Sequence, residues 1–173
     1  MKMKRLAFPV IAFLLISACA LIPKKTVQIA WPDNIQYIEA FCELDMSWKD
    51  TKYSGAMSLK LEYPDKLAID VFGPFGDTVI HLNKEGEKFL LVTKEGSTSK
   101  EAEFEQDFGI KLSEFIEDLA IKSYRKGDTG NEFIQRNNYK VIYNLDSGGD
   151  NSICWKIKDG NMCITFFEVK FEK

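Results

Sequence analysis

Nucleophilic, general-base and metal-binding chemistry draws on few side-chain types, and this chain of 173 residues holds four cysteines and one histidine. His81 lies in the alternating run Thr78-Val79-Ile80-His81-Leu82-Asn83, which reads as a strand with the imidazole on its outer side. A general base needs a nucleophile and an orienting acid within reach, and no motif supplies them, so no catalytic residue is expected. Neither a Cys-x-x-Cys nor a His-x-x-x-His spacing occurs, and Glu101, Glu103, Glu105 and Asp107 follow one another along a helical stretch as a solvated face does. No metal and no cofactor is expected. Gly73 and Gly76 precede a strand and lack a following Lys-Ser/Thr, which excludes a phosphate loop. Basic residues are dispersed among acids, without the track that nucleic acid requires.

The cysteine with a distinctive setting is Cys19. Lys2, Lys4 and Arg5 form a positive start, residues 6–16 form an apolar run, and Ser17-Ala18-Cys19 closes it. The run is short for a membrane span, which needs roughly 20 residues. Small residues leading into a cysteine resemble the bacterial lipobox, in which the thiol is diacylated and the signal is cut before it. Two or more acyl chains, at about 0.8 kcal/mol per buried methylene, give stable anchoring. The plainer alternative is a secreted protein with an incidental cysteine near its cleavage site. Ala20, where an aspartate would mark inner-membrane retention, leans towards the outer membrane. Residues 1–18 are thus expected to be a signal peptide and 19–34, with Pro23, Lys24, Lys25 and Pro32, a lipidated tether. Residues 35–173 are enough for one domain. Loss of the signal leaves 20 basic residues against 26 acidic ones, a formal charge of −6, which disfavours nucleic acid and anionic lipid as electrostatic partners.

Three cysteines then remain, so one disulfide at most can form. Cys154 and Cys163 flank Asp159-Gly160, which reads as a two-residue hairpin turn. In that register Cys154 faces Thr165 and Cys163 is diagonal to it, so a bridge requires adjustment. Cys42 belongs to an apolar alternation and reads as a small core residue.

The elements that would position any site are mainly strands. Ile38, Ala40, Cys42, Leu44, Met46 and Trp48 alternate with polar residues, and four further two-residue periods follow at 53–63, 66–72, 78–83 and 88–93. At Ser97 the period changes: Thr98-x-x-Glu101 reads as a capping box, and Phe104 and Phe108 pair before Gly109 stops the segment. Ser113 is the expected cap of a second helix with Leu112, Phe115, Ile116 and Leu119 on one face and Glu114, Glu117 and Asp118 opposite. Strands resume at 132–135, 140–145, 153–158 and 162–171. The expected fold is therefore mainly β (α+β), a curved antiparallel sheet of about nine strands forming an incomplete β-barrel under a short helical lid. A packed α+β domain without a cavity is the alternative.

One turn departs from turn chemistry. In Phe72-Gly73-Pro74-Phe75-Gly76 a large apolar side chain occupies a position that usually favours Asn, Asp or Ser. An exposed Phe75 would contribute about 1.5–3 kcal/mol on entering an apolar phase. A Phe75 folded back would plug one end of the core.

Residues 67–82, Leu-Ala-Ile-Asp-Val-Phe-Gly-Pro-Phe-Gly-Asp-Thr-Val-Ile-His-Leu, resemble the core segment of the LolB family of outer-membrane lipoprotein receptors, in which an apolar strand runs into a Pro-Leu/Phe-Gly turn and a second strand. The likeness covers about residues 53–119, and the order of elements agrees beyond it. The resemblance implies an incomplete barrel whose apolar cavity takes the acyl chains of lipoproteins, or of other lipids, from a LolA-like periplasmic carrier. It implies a monomer, held on the periplasmic face of the outer membrane by the lipid on Cys19. It also implies membrane insertion through Phe75, presented by Pro74 and Gly76. The residues placed to line the cavity are Leu59, Leu61, Leu67, Ile69, Val71, Ile80, Leu82, Phe89, Leu91, Phe115 and Leu119. The chain departs from the family at its leader, where Trp31-Pro32 stands in place of a tryptophan-containing helix.

Overall fold

Twelve residues of alternation produce the first strand, β1 (Tyr37–Trp48), whose Ile38, Ala40, Cys42 and Leu44 are buried while Glu39 and Asp45 face water. The computed structural model describes residues 28–123, 133–145 and 150–172. The signal segment and Cys19 lie outside the described residues. After β1 come β2 (Thr51–Glu62), β3 (Lys66–Phe72), β4 (Thr78–Glu85), β5 (Lys88–Thr93) and β6 (Gly96–Thr98). Two helices follow, α1 (Glu101–Phe108) and α2 (Leu112–Leu119), and then β7 (Phe133–Gln135), β8 (Tyr139–Asn144), β9 (Ser152–Ile157) and β10 (Gly160–Lys170).

The ten strands among the described residues join one antiparallel sheet in the order β6-β5-β4-β3-β2-β1-β10-β9-β8-β7, open at its two edges. The expectation of nine strands misses β6, because Gly96-Ser97-Thr98 is too short and polar to show a period. Rings linked across the interior reveal the curvature. Phe89 on β5 lies 6.2 Å from Phe104, Phe104 lies 6.3 Å from Phe115, and Phe115 lies 4.8 Å from Trp155 on β9. In a flat sheet β5 and β9 would stand about 29 Å apart, so the sheet folds round its helices. Register breaks at Phe41/Cys42 and Val71/Phe72 supply local bends.

Three local expectations are corrected. The β9–β10 turn is Lys158-Asp159, with Gly160 already in β10 opposite Ile157. Gly160 is required there by close approach, since a Cβ would stand 2.1 Å from the Ser47 carbonyl oxygen on β1. This register sets Cys154 opposite Cys163, where they form the disulfide, and Thr165 opposite Ser152. Neither expected helix cap forms. Lys100 precedes α1 and Lys111 precedes α2, both without a side-chain cap, while Thr98 lies in β6 and its hydroxyl accepts from the Lys100 N–H at 3.1 Å. Lastly, Asp118 is fully buried. Gly109 does end α1, at φ 67°, with its N–H donating to the Glu105 carbonyl.

The chain before β1 is docked rather than free. Trp31 packs edge-on against Phe166 and Phe171 at 5.0 and 5.4 Å, its indole N–H donates to Asn151, and Ile35 is buried. The fold therefore includes part of the stretch expected to be tether.

Candidate functional site

The Phe75 turn is built by its neighbours. The Gly76 N–H donates to the Gly73 carbonyl at 2.9 Å, which makes Pro74 and Phe75 the central pair of a β-turn. Pro74 presets the first dihedral, and Gly76 takes the left-handed conformation (φ 82°) that a side chain would resist. The Gly73 N–H donates to the Asp77 carbonyl at 2.7 Å, closing the base. Just behind it the Tyr53 hydroxyl donates to the Phe72 carbonyl at 2.8 Å, crossing over Gly55. Phe75 is left at the tip with 96% of its surface exposed, the largest value among the exposed large hydrophobic residues in the described part of the chain. Of the two positions open to it, it occupies the outward one.

Alternate hairpin turns of a meander lie at the same end of the sheet. The turns after β1, β3, β5, β7 and β9 therefore share one rim, and Phe75 stands on it. A cleft of about 860 Å³ opens on the same rim. Apolar Trp48, Leu91, Phe108 and Ile157 line it together with charged Lys49, Glu95, Asp107, Lys158 and Asp159. Its volume is in the range of small-molecule sites, and its lining mixes apolar and charged side chains.

The residues expected to line a cavity come together on one surface of the sheet and under the helices. Leu59, Leu61, Leu67, Ile69, Val71, Leu82, Phe89, Leu91, Phe115 and Leu119 are buried in one cluster, and Ile80 packs against it half-buried. In this conformation they form a closed core. Leu91 alone among them also lines the cleft.

What the sequence reading missed is the polar centre of that core. Asp118 accepts from Arg136 Nη2 at 2.7 Å, from the Trp155 indole N–H at 3.1 Å and from the Tyr139 hydroxyl at 3.2 Å. The Tyr143 hydroxyl donates to the Asp118 backbone carbonyl at 3.3 Å, and Arg136 also reaches Glu117 at 3.2 Å. Burial pushes the Asp118 carboxyl up, against the pull of Arg136, Trp155 and Tyr139. Burial works against the Arg136 charge as well, but Asp118 and Glu117 outweigh it and strengthen the charged form. The one available signal was spacing: Asp118 falls one turn from Phe115 and so borders the apolar stripe instead of opposing it.

The remaining reactive groups stay where the sequence put them. His81 is on the outer surface, its Nδ1 2.7 Å from Asp70 Oδ1 with both side chains more than a third exposed. Asp70 is an orienting acid that no local motif announced, contributed across the β3–β4 pair. Cys42 is buried and unbridged, and burial pushes its thiol well up. Among the described residues no cluster of His, Cys, Asp and Glu could hold a metal ion, and no helix is long and apolar enough to cross a membrane. No known family matches the chain, and no curated protein matches it either.

Proposed function

We propose that this protein is a lipid-anchored, LolB-like acceptor on the periplasmic face of the outer membrane. It takes the acyl chains of lipoproteins, or of another lipid, from a LolA-like carrier and passes them into the bilayer. The observation that carries the reading is Phe75. A fully exposed phenylalanine on a turn stiffened by Pro74 and Gly76 has little to contribute to folding, and it stands on the rim where a cleft of mixed apolar and charged lining opens. Insertion of that ring into hydrocarbon contributes about 1.5–3 kcal/mol, enough to bias orientation at a membrane without fixing the protein there. Transfer needs no covalent step, because apolar walls replace water round the chains until the bilayer holds them more tightly.

Phe75→Glu in the native host, scored for the location of other lipoproteins, tests the reading. The expected result is mislocalised lipoproteins with the variant itself folded and abundant. Normal sorting would remove the turn from the mechanism.

The closed packing of the eleven candidate lining residues favours a second reading, a non-enzymatic assembly lipoprotein with a filled core. Native mass spectrometry of protein taken from its own envelope separates the two, since a bound acylated ligand excludes the filled core. A bound phospholipid in place of a lipoprotein would change the cargo.

A further inference from the structure

The two helices over the core are held in unequal ways. The α2 helix buries Leu112, Phe115, Ile116, Asp118 and Leu119, and its side chains are bonded to β8, β9 and the β7–β8 turn through Tyr139, Trp155 and Arg136. Both of its flanks are pinned. Ile110 before it is fully buried, and after it Ile121 is buried in a left-handed conformation (φ 48°) that a β-branched residue keeps only where its surroundings force it. The α1 helix buries Phe104 alone. Its polar links to the sheet are Lys84 to Glu101 at its first residue and Thr98 of β6 to Glu103, and the rest of its hold on the core is aromatic: Phe104 against Phe89 and against Phe115 of α2, and Phe108 6.4 Å from Trp48. Like α2 it starts without a side-chain cap, and it ends at Gly109, a residue free to change its dihedrals. The last turn of α1, Gln106 to Gly109, forms one wall of the rim cleft.

From these contrasts we infer that α1 is the moving leaf and α2 the fixed leaf of the helical cover, so that acyl chains enter beneath α1 through the cleft on the Phe75 rim. This rests on the acyl-binding reading above. Lifting α1 about Gly109 would part Phe104 from Phe89 and from Phe115 of α2, and Phe108 from Trp48, joining the cleft to the buried surface at Leu91 and Phe89. The Asp118 cluster keeps the other half of the cover seated meanwhile.

The test is hydrogen exchange and photolabelling on the whole lipidated chain in nanodiscs, with diazirine-palmitate as the probe. Amides of α1 should exchange about tenfold or more faster than those of α2, and palmitate should slow α1 while leaving α2 unchanged. Asp118→Asn should bring α2 up to the rate of α1. Labels should fall on Trp48, Phe89, Leu91 and Phe104. Equal exchange of the two helices, or an α1 that is fast but indifferent to palmitate, overturns the leaf assignment. Labels at the opposite end of the sheet, where Lys122 stacks on the Tyr63 ring just past the end of β2, instead of at the rim overturn the entrance alone. An unlabelled interior, with α1 still faster than α2, overturns the acyl-binding reading and the entrance with it, and leaves the helix asymmetry as a property of the fold.

Discussion

A carboxylate with no exposed surface survives in a protein only when donors surround it, and Asp118 has Arg136, Trp155 and Tyr139 on its two oxygens. Removing it leaves Arg136, itself largely covered, without its main partner. Asp118→Ala should therefore cost about 3–5 kcal/mol in a urea titration, far more than loss of a surface pair. The pH dependence has a definite sign. A folded-state carboxyl raised above its unfolded value binds its proton more tightly in the native chain, so this group's contribution to stability falls as pH rises between the two values. Asp118→Asn should flatten that part of the stability profile in melts from pH 3 upward. Gly76 makes a smaller, separable prediction. At φ 82°, Gly76→Val should cost about 1–2 kcal/mol and disturb the presentation of Phe75, whereas Phe75→Ala should leave the melting temperature almost unchanged and weaken vesicle binding.

Elements were legible in proportion to the length of their period. Strands β1 to β5 could be placed because one apolar surface must be served every second residue, and an error of one position would have exposed the whole set. Register between β9 and β10 was not legible, because the glycine after Asp159 looked like a turn residue when its real constraint is the approach of β1. Gly160→Ala should accordingly destabilise the sheet by about 1–3 kcal/mol although it would be harmless in a turn, a difference read by denaturant melts. The helix caps failed for a related reason. Thr98 had a stronger use as the last residue of an edge strand, and the short linker from Gly109 placed Lys111 before α2. The Cys154–Cys163 bridge follows from the corrected register and closes a small loop. Its reduction should cost about 2–3 kcal/mol, measured as the shift in urea midpoint with and without reductant.

At the scale of the molecule, the mainly β character, the open curved sheet and the pair of helices followed from periodicity, while the extent of filling did not. Alternation says which side chains turn inward and is silent on whether they meet. The rim cleft was illegible for the same reason, since Trp48, Leu91, Phe108 and Ile157 are brought together from four separate elements. The start of the fold was misjudged too, because Trp31 carries no period and declares itself only through Phe166, Phe171 and Asn151. That docking has a mechanical outcome. Tyr37 begins β1 at the end of the sheet opposite Phe75, so the leash that the proposed function places on Cys19 would attach at one pole while the aromatic tip projects from the other. The residues between Cys19 and Ile29 span at most about 35 Å when drawn straight, and β1 alone is about 40 Å long. Standing upright on its leash, the molecule would point Phe75 away from its own leaflet and towards the periplasm. Lying along the surface, it would bring the ring down to the lipids. Under the proposed function, pose and not reach would then decide whether the protein collects cargo or releases it.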